Sequence, residues 1–182
     1  MAMAFLAPSL PAAAQQAQGG TPPAAVVLVI DLQEIYQKAK AAQGVRAERE
    51  KLAQSYQAEF SKEEDALRKA EQDLLKQRSL LSPEAFAEKA RAFEQQAGSF
   101  QRRVNERREA LERSFGTAMN QVQDGLIKVM DEIATQKGAN MILFRSQTFL
   151  FDPAMDATDL AIERLNATLP SVAFPTPQTP AQ

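Results

Sequence analysis

Apolar residues recur at spacings of three, four and seven along most of the chain. This pattern predicts two long amphipathic helices between Gln33 and Gln136. One apolar stripe runs over Ile35–Leu81 and a second runs over Phe86–Ile133, while Lys, Arg, Glu and Gln occupy the other faces. Each helix therefore presents one apolar face that needs a partner.

A turn at Leu81-Ser82-Pro83 separates the two stripes. Ser82 can cap the second helix, and Pro83 then takes its first position, where a missing N–H is harmless. Gly138 is expected to end this helix as a left-handed C-cap. At ~1.5 Å per residue, the helices between positions 46 and 117 would form a hairpin arm of roughly 50 Å. The two apolar stripes can then face each other as in an antiparallel two-helix coiled coil.

Short apolar runs on both sides of this helical region predict β-strands. Ala24–Ile30 is an unbroken, largely β-branched run, and it ends at Asp31, which can cap the following helix. Asn140–Phe144 and Thr148–Phe151 have the composition of two more short strands. Asp156 can cap a final helix, so strands and helices from both ends of the chain are expected to meet in one body.

This body is too small to cover its own strands. Residues 24–45 and 118–169 would supply three buried-type strands with too little protein around them, and self-association would solve that problem. The predicted fold is therefore mainly α with a small β body, and a long two-helix arm projects from a strand-rich base. The residues expected at the subunit interface are Val26, Val27, Leu28, Val29, Ile30, Met141, Ile142, Leu143, Phe144, Phe149 and Phe151.

The two termini differ in composition from the rest of the chain. The first twenty residues carry no charge, and an apolar stretch followed by Ala12-Ala13-Ala14 predicts a signal peptide over residues 1–14, cleaved before Gln15. The segment lacks the Lys or Arg that begins a complete signal, so its start is expected to be truncated or misassigned; the alternative is an Ala-rich disordered leader. Residues 15–23 are expected to be flexible, and the Pro-rich, uncharged residues 170–182 to be disordered.

Composition argues against catalysis and metal binding. The chain has no His and no Cys, which removes the commonest general base, the thiol nucleophile and nearly all zinc or copper ligation. Its carboxylates are scattered along helix faces, with no Gly-containing loop to gather them around a hard cation. We therefore expect no catalytic residue, metal or cofactor. A formal net charge of −2 gives no overall attraction to nucleic acid.

Three blocks of sequence resemble the Skp (OmpH-like) family of periplasmic chaperones. Val26–Val45, VVLVIDLQEIYQKAKAAQGV, is similar to the first strand and helix start of the family. Gly138–Asp156, GANMILFRSQTFLFDPAMD, resembles its second and third strands, and Asp156–Asn166, DATDLAIERLN, resembles its closing helix. The helical arm between these blocks matches only in period and length.

The resemblance implies a trimer whose strands form a compact body and whose three arms enclose unfolded outer-membrane proteins during transit through the periplasm. It implies a holdase that suppresses aggregation without ATP. The alternative is a structural coiled-coil spacer or stator-like protein of the cell envelope, because helical period alone does not distinguish the two. Well-studied members are strongly basic, whereas this chain is slightly acidic, which argues against broad electrostatic capture of clients.

Two groups of side chains on the second helix are candidates for contact with a client. Five arginines form a basic cluster that could bind acidic client segments, lipopolysaccharide or a membrane lipid surface: Arg102, Arg103, Arg107, Arg108 and Arg113. A solvated arm face, balanced by nearby glutamates, is the favoured interpretation. Phe86, Phe93 and Phe100 could line a client cavity, but their spacing of seven favours the packing seam of the arm itself.

Overall fold

The computed structural model describes residues 23–179, and two long helices account for more than half of them. The elements in chain order are β1 (Val27–Ile30), α1 (Leu32–Lys38), α2 (Lys40–Gln77), α3 (Pro83–Lys137), β2 (Met141–Phe144) and α4 (Thr158–Thr168). Two short 3-10 turns, Arg145–Gln147 and Pro153–Met155, lie between β2 and α4. The signal peptide expected over residues 1–14 and the cleavage before Gln15 lie outside the described residues.

Helices α2 and α3 form an antiparallel hairpin. Three side-chain pairs mark the register between them: Arg49 with Glu112, Arg103 with Glu63, and Lys89 with Gln77. The sequence separation of these pairs falls from 63 to 40 to 12 residues toward the turn, as an antiparallel pair requires. The predicted helical hairpin is thus present, and its facing positions are held by packing and by ion pairs.

Local capping signals set the ends of α3. Ser82 Oγ accepts a hydrogen bond from the Ala85 backbone N–H at 3.2 Å, and Pro83 occupies the first turn. Gly138 has a φ of 65°, and its N–H donates to the carbonyl oxygens of Ala134 and Thr135. A residue with a Cβ would be strained in this left-handed conformation. The predictions for both ends of this helix are confirmed.

The first helix is broken at Ala39, so the prediction of one continuous helix from Gln33 to the turn is wrong. Ala39 has extended backbone angles, φ −63° and ψ 126°, and it separates α1 from α2. The start of α2 has no side-chain cap from Ala39, but Asn166 Oδ1 accepts a hydrogen bond from Lys40 N at 2.7 Å. The break is therefore completed by a residue of α4, which a local sequence pattern does not reveal.

The sheet has two parallel strands within the described part of the chain. Val27 pairs with Met141 and Ile30 with Phe144, so β1 and β2 run side by side in full register. The Asn140 side chain prolongs this pairing, because its Oδ1 accepts from Val26 N and its Nδ2 donates to the Ala24 carbonyl, both at 2.9 Å.

The third predicted strand, Thr148–Phe151, is wrong for the single chain, because this segment is a loop. The other edge of β1 is occupied instead by Asp156, which forms an isolated bridge with Val29. Ala157 N donates to the Val29 carbonyl oxygen at 2.9 Å. The edge of β1 is thus taken, and Thr148–Phe151 does not extend along the free edge of β2 either.

The core of the body lies where the sheet, α3 and α4 meet. The sheet contributes Leu28 and Ile30, and α1 contributes Ile35, whose side chain is completely buried. Opposite them lie buried residues of α3 and α4, among them Val122, Leu126, Val129, Ile133, Ala161 and Leu165. The two ends of the chain therefore close one hydrophobic core, from which the hairpin extends.

Two expectations for the C-terminal region need correction. The N-cap of α4 is Ala157, one residue later than predicted, but Asp156 Oδ1 still accepts a hydrogen bond from Thr158 N at 2.9 Å. Residues 170–179 are not disordered as expected. They continue beyond α4 without regular structure, and Val172 and Phe174 are half-buried against the core. Apolar side chains at alternate positions hold the segment in place, a pattern that its proline content obscures.

Candidate binding surfaces

Strand β2 exposes large apolar side chains on both of its faces. Met141, Ile142, Leu143 and Phe144 are between 37 and 46% exposed, although successive side chains of a strand point to opposite faces. The outer edge of β2 has no neighbouring strand in residues 23–179. An apolar strand with a free edge is a template for pairing with another chain. This strand is thus the strongest candidate for a protein–protein contact in the body.

The loop that follows β2 adds to this exposed surface. Phe149 is 106% exposed and Leu150 is 85% exposed, and Val26 beside the sheet is 44% exposed. Single exposed apolar residues are ordinary, but several aromatic and aliphatic ones near one another mark an interaction site.

The residues predicted at the subunit interface divide into two groups. Leu28, Val29 and Ile30 are 6%, 1% and 3% exposed, so the chain itself already buries them. Val27 and Phe151 are half-buried. The residues with apolar surface left to offer are Val26, Met141, Ile142, Leu143, Phe144 and Phe149. The interface remains a prediction, and its side-chain contacts would come from this second group.

An open apolar groove of about 530 Å³ lies between the sheet, α1 and α3. Its lining includes Ile30, Leu32, Tyr36, Leu126, Ile127 and Phe144. Burial raises the pKa of the Tyr36 hydroxyl. This groove was not predicted from the sequence, although one signal was available. Ile127 follows Leu126 directly, and such a pair widens an apolar stripe beyond the width that one helix partner covers.

Burial in the hairpin falls toward its turn. The last buried residues are Leu67 on α2 and Val104 on α3, and none of the residues between them is buried. Near the turn, Leu75 is 59% exposed and Leu80 is 81% exposed. The distal half of the hairpin therefore has apolar contacts on one side only and leaves much apolar surface to solvent.

The five arginines of the predicted cluster do not form one patch. Three of them contact neighbouring side chains: Arg103 pairs with Glu63, Arg107 lies over the Tyr56 ring at 5.1 Å, and Arg113 pairs with Glu109 at 3.6 Å.

The directions of these arginines around α3 also differ. At about 100° per residue, Arg102 and Arg113 share one direction, Arg103 and Arg107 a second, and Arg108 a third. Arg102 and Arg108 are exposed. The contacts of Arg103 and Arg107 favour a role in packing the hairpin, so a concentrated anion site is not assembled here.

The phenylalanines of α3 pack within the hairpin. Phe86, Phe93 and Phe100 are half-buried, and the Phe100 ring meets the Phe60 ring edge-on with centroids 6.1 Å apart. The Arg78 guanidinium lies over Phe86 at 5.9 Å. These contacts support the interpretation of the three residues as a packing seam.

The described residues show no arrangement suited to metal chemistry. Over residues 23–179, no group of three or more acidic side chains is placed to hold a metal ion. No helix in the same range is long and apolar enough to cross a membrane. The features that stand out in this part of the chain are apolar surfaces.

Comparison with known proteins agrees with this architecture. The profile of the family described as outer membrane protein (OmpH-like) matches residues 26–165, which span β1 through most of α4. This chain belongs to the OmpH-like family. The match covers both strands, the hairpin and the body, and family membership supports a chaperone role.

A solved structure has the same fold. It is a protein of Caulobacter crescentus named as a candidate outer membrane chaperone (OmpH-like), with a TM-score of 0.79 and 21% sequence identity. The alignment covers 88% of this chain and 95% of that protein. At this identity the likeness establishes the fold alone. No curated protein matches the sequence at a significant level.

Proposed function

We propose that this OmpH-like protein is an ATP-independent holdase that encloses unfolded outer-membrane proteins between the arms of a homotrimer. In this proposal residues 24–45 and 118–169 carry assembly, and residues 46–117 form the arm. The body supports the assembly role, because β2 and its following loop leave large apolar side chains uncovered in a single chain.

The observation that carries the proposal is the loss of burial along the hairpin. No residue between Leu67 and Val104 is buried, whereas the body has a continuous core. An arm built only to separate two partners gains nothing from low local stability. An arm that must adapt to clients of different size does gain from it, because poorly packed helices bend at small cost.

Weak, repeated contacts suit a holdase that uses no energy source. Several arms around one client raise the effective concentration of every contact, so a client can be retained although each contact is weak. Release then needs no nucleotide, because the folding of the client or its transfer to another site competes with contacts that are individually short-lived. Exposed apolar groups such as Leu75 and Leu80 are available for such contacts.

We place the mature protein in the periplasm, because residues 1–14 combine an apolar stretch with the small residues Ala12-Ala13-Ala14 that suit signal-peptidase cleavage. Unfolded outer-membrane proteins would be its principal partners there. Lipopolysaccharide or a lipid surface would be a secondary partner at most, since Arg102 and Arg108 point in different directions on α3. Mass spectrometry of protein from its native host tests the cleavage before Gln15, and an intact Met1 would contradict it.

Deletion of the arm tests the proposed mechanism. Residues 56–111 can be replaced by a short Gly-containing turn, because Arg49 and Glu112 already meet across the hairpin. We expect the shortened protein to keep the assembly state of the full chain, since its strands and α4 are unchanged. We also expect it to fail to keep a membrane β-barrel protein soluble when this client is diluted out of urea at a near-stoichiometric ratio of client to chaperone. Full activity of the shortened protein would place the client site on the body.

The same assay separates a holdase from a coiled-coil spacer of the envelope. A spacer would not suppress aggregation in either the full or the shortened form. A variant with Arg102→Gln and Arg108→Gln serves as the control for electrostatic capture. Its activity should fall slightly and mainly at low salt, because exposed charges are screened within about 10 Å at 0.1 M salt.

A further inference from the structure

The C-terminal segment, defined as residues 170–179, lies against the body where the hairpin begins. Val172 and Phe174 are half-buried against the core, whereas Ser171 and Ala173 are exposed. Farther along, Pro175, Thr176 and Gln178 line a shallow pocket on α3 with Ala110, Arg113, Ser114 and Thr117. The segment therefore runs back from the end of α4 along the part of α3 that leads into the arm.

The surface under this segment is part of the folded protein. Ala110 is 1% exposed and Ser114 is 7% exposed, and both belong to the part of α3 whose other face packs in the hairpin. We call this area, formed by Ala110, Arg113, Ser114 and Thr117, the arm-base surface. Helix packing fixes the position of its residues, so the surface would persist if the C-terminal segment left it.

The segment is held weakly. Within residues 23–179, no backbone hydrogen bond joins the segment to the rest of the protein. One side-chain bond does so, from Arg113 Nη2 to the Gln178 carbonyl oxygen at 3.4 Å, which is long. None of residues 170–179 is fully buried, and none carries a charge. Its attachment therefore rests on a few half-buried side chains, and it can exchange with a competitor.

The pattern of the segment matches that of a class of client. Over residues 171–174 exposed and half-buried side chains alternate, and Val172 and Phe174 point inward as on one face of a β-strand. Strands of outer-membrane barrels alternate apolar and polar residues in the same way. An unfolded barrel protein offers many extended stretches of this kind, each of which could take the place of the segment.

We propose that the C-terminal segment is an intramolecular competitor, which occupies the arm-base surface and is displaced by extended, alternately apolar segments of a client. The proposal rests on the holdase function proposed above. An occupied surface is shielded while the chaperone is empty, and a client must displace the segment to bind there. The apparent affinity for the client is then reduced by the fraction of molecules whose surface is occupied.

A full-length release variant, Val172→Ser with Phe174→Ser, tests the competition. Its matched control is Ser171→Ala with Ala173→Ser, which changes two exposed side chains of the same segment that do not line the pocket on α3. With a urea-diluted, fluorescently labelled β-barrel protein, the release variant should bind about tenfold more tightly than the wild type if the segment is seated in about nine molecules of ten. The control variant should bind as the wild type does. Because the segment is uncharged, the ratio of the two client affinities, release variant to wild type, should not change with salt concentration.

A free peptide of residues 170–182 provides the second measurement. When labelled, it should bind the release variant more tightly than the wild type, and in excess it should return the client affinity of the release variant to that of the wild type. The same peptide with Phe174→Ser should do neither.

Unchanged or weaker client binding by the release variant would overturn the proposal, and weaker binding would assign the segment a bracing role. If neither protein holds the client, the proposed holdase function fails. Failure of the peptide to bind the release variant would separately show that the arm-base surface does not accept an extended segment.

Discussion

At the scale of single residues, the side chains of two asparagines form hydrogen bonds with backbone groups at the ends of a helix and of the sheet. Asn166 accepts from Lys40 N at 2.7 Å and so caps α2, whose preceding residue Ala39 has no polar side chain. Asn140 bonds Val26 N and the Ala24 carbonyl and so continues the sheet beyond its last backbone pair. Both side chains join segments that are more than a hundred residues apart in sequence.

Asn166→Ala should lower the free energy of unfolding by about 1 kcal/mol, because α2 loses the acceptor for its first N–H. Asn166→Asp keeps an oxygen at the same place and should cost less. Urea denaturation followed by circular dichroism measures both. Asn105→Ala on the exposed arm is the control, and equal midpoints for Asn166→Ala and Asn105→Ala would contradict this role.

Two glycines inside α3 should respond in opposite ways to alanine. A Cβ at Gly116 would meet nothing within 4 Å, so Gly116→Ala should stabilise the helix by about 1 kcal/mol through its higher helix propensity. A Cβ at Gly125 would lie 2.7 Å from Leu169 Cδ2 and 3.4 Å from Leu165 Cδ1. Overpacking against α4 then offsets the gain, so Gly125→Ala should be neutral or destabilising. Thermal unfolding of the pair checks the difference, and equal gains would refute it.

The roles of residues could be predicted from the sequence where the hydrogen-bond partner lies a few positions away along the chain. They could not be predicted where the partner lies far away in the sequence. The Asp31 carboxylate accepts from Glu34 N at 3.0 Å, and Ser82 caps α3, both within three positions. Both capping roles could be predicted from a short stretch of sequence. The roles of Asn140 and Asn166 depend on the folded body, so no local pattern shows them. The burial of Leu28 and Ile30 in the core of the single chain is another long-range effect that no local pattern shows, and the interface predicted for β1 stays a prediction.

At the scale of elements, the burial of apolar side chains in the hairpin decreases from the body to the turn. Near the body, α3 packs against α2 through buried residues such as Val104 and Leu111. Beyond Leu67 the two helices share one half-buried seam, and no third layer covers it. Periodicity predicted the helices and their turn but could not show this gradient, because apolar residues continue to the turn while their burial does not.

Hydrogen exchange should follow this gradient in burial. Amides of residues 68–103 should exchange through local opening at far lower free energy than those of residues 118–133, which lie in the core of the body. Mass spectrometry of peptides from the exchanged protein would measure the two ranges together. Protection that is uniform from the body to the turn would show that the hairpin opens only with the whole molecule.

At the scale of the whole molecule, the body of a single chain leaves apolar surface and a strand edge uncovered. Within residues 23–179 its sheet has two strands, one of them exposed on both faces, and an apolar groove lies open beside it. The apolar run of Thr148–Phe151 was predicted as a strand from its composition, yet in the single chain it is a loop that pairs with neither strand. Composition indicates that the segment can form a strand, but it does not show whether a partner strand is present in the single chain.

Leu143→Asp should convert the expected trimer into folded monomers. Leu143 is 37% exposed in the chain, so the carboxylate stays solvated in a monomer, whereas a buried, unpaired charge in an interface costs several kcal/mol. Leu75→Asp near the turn is the matched control, since Leu75 is also an exposed leucine but lies outside the body. Sedimentation velocity and circular dichroism would report mass and folding. A folded monomer for the unmodified protein would contradict the assembly itself.

The parallel pairing of β1 with β2 has a consequence for the order in which the molecule folds. Val27 pairs with Met141, so β1 leaves the ribosome long before its partner strand exists. Direct closure of so long a loop is slow, but a hairpin that forms first brings its ends together and shortens the search. Ser82→Gly with Pro83→Gly should therefore slow refolding, whereas Ala87→Gly within α3 serves as control. Stopped-flow fluorescence of Tyr36 in a Tyr56→Phe background follows the body. Equal refolding rates for the turn variant and the unmodified protein would show that hairpin formation does not limit folding. A slower rate would show that the arm forms first and brings the two strands of the body together.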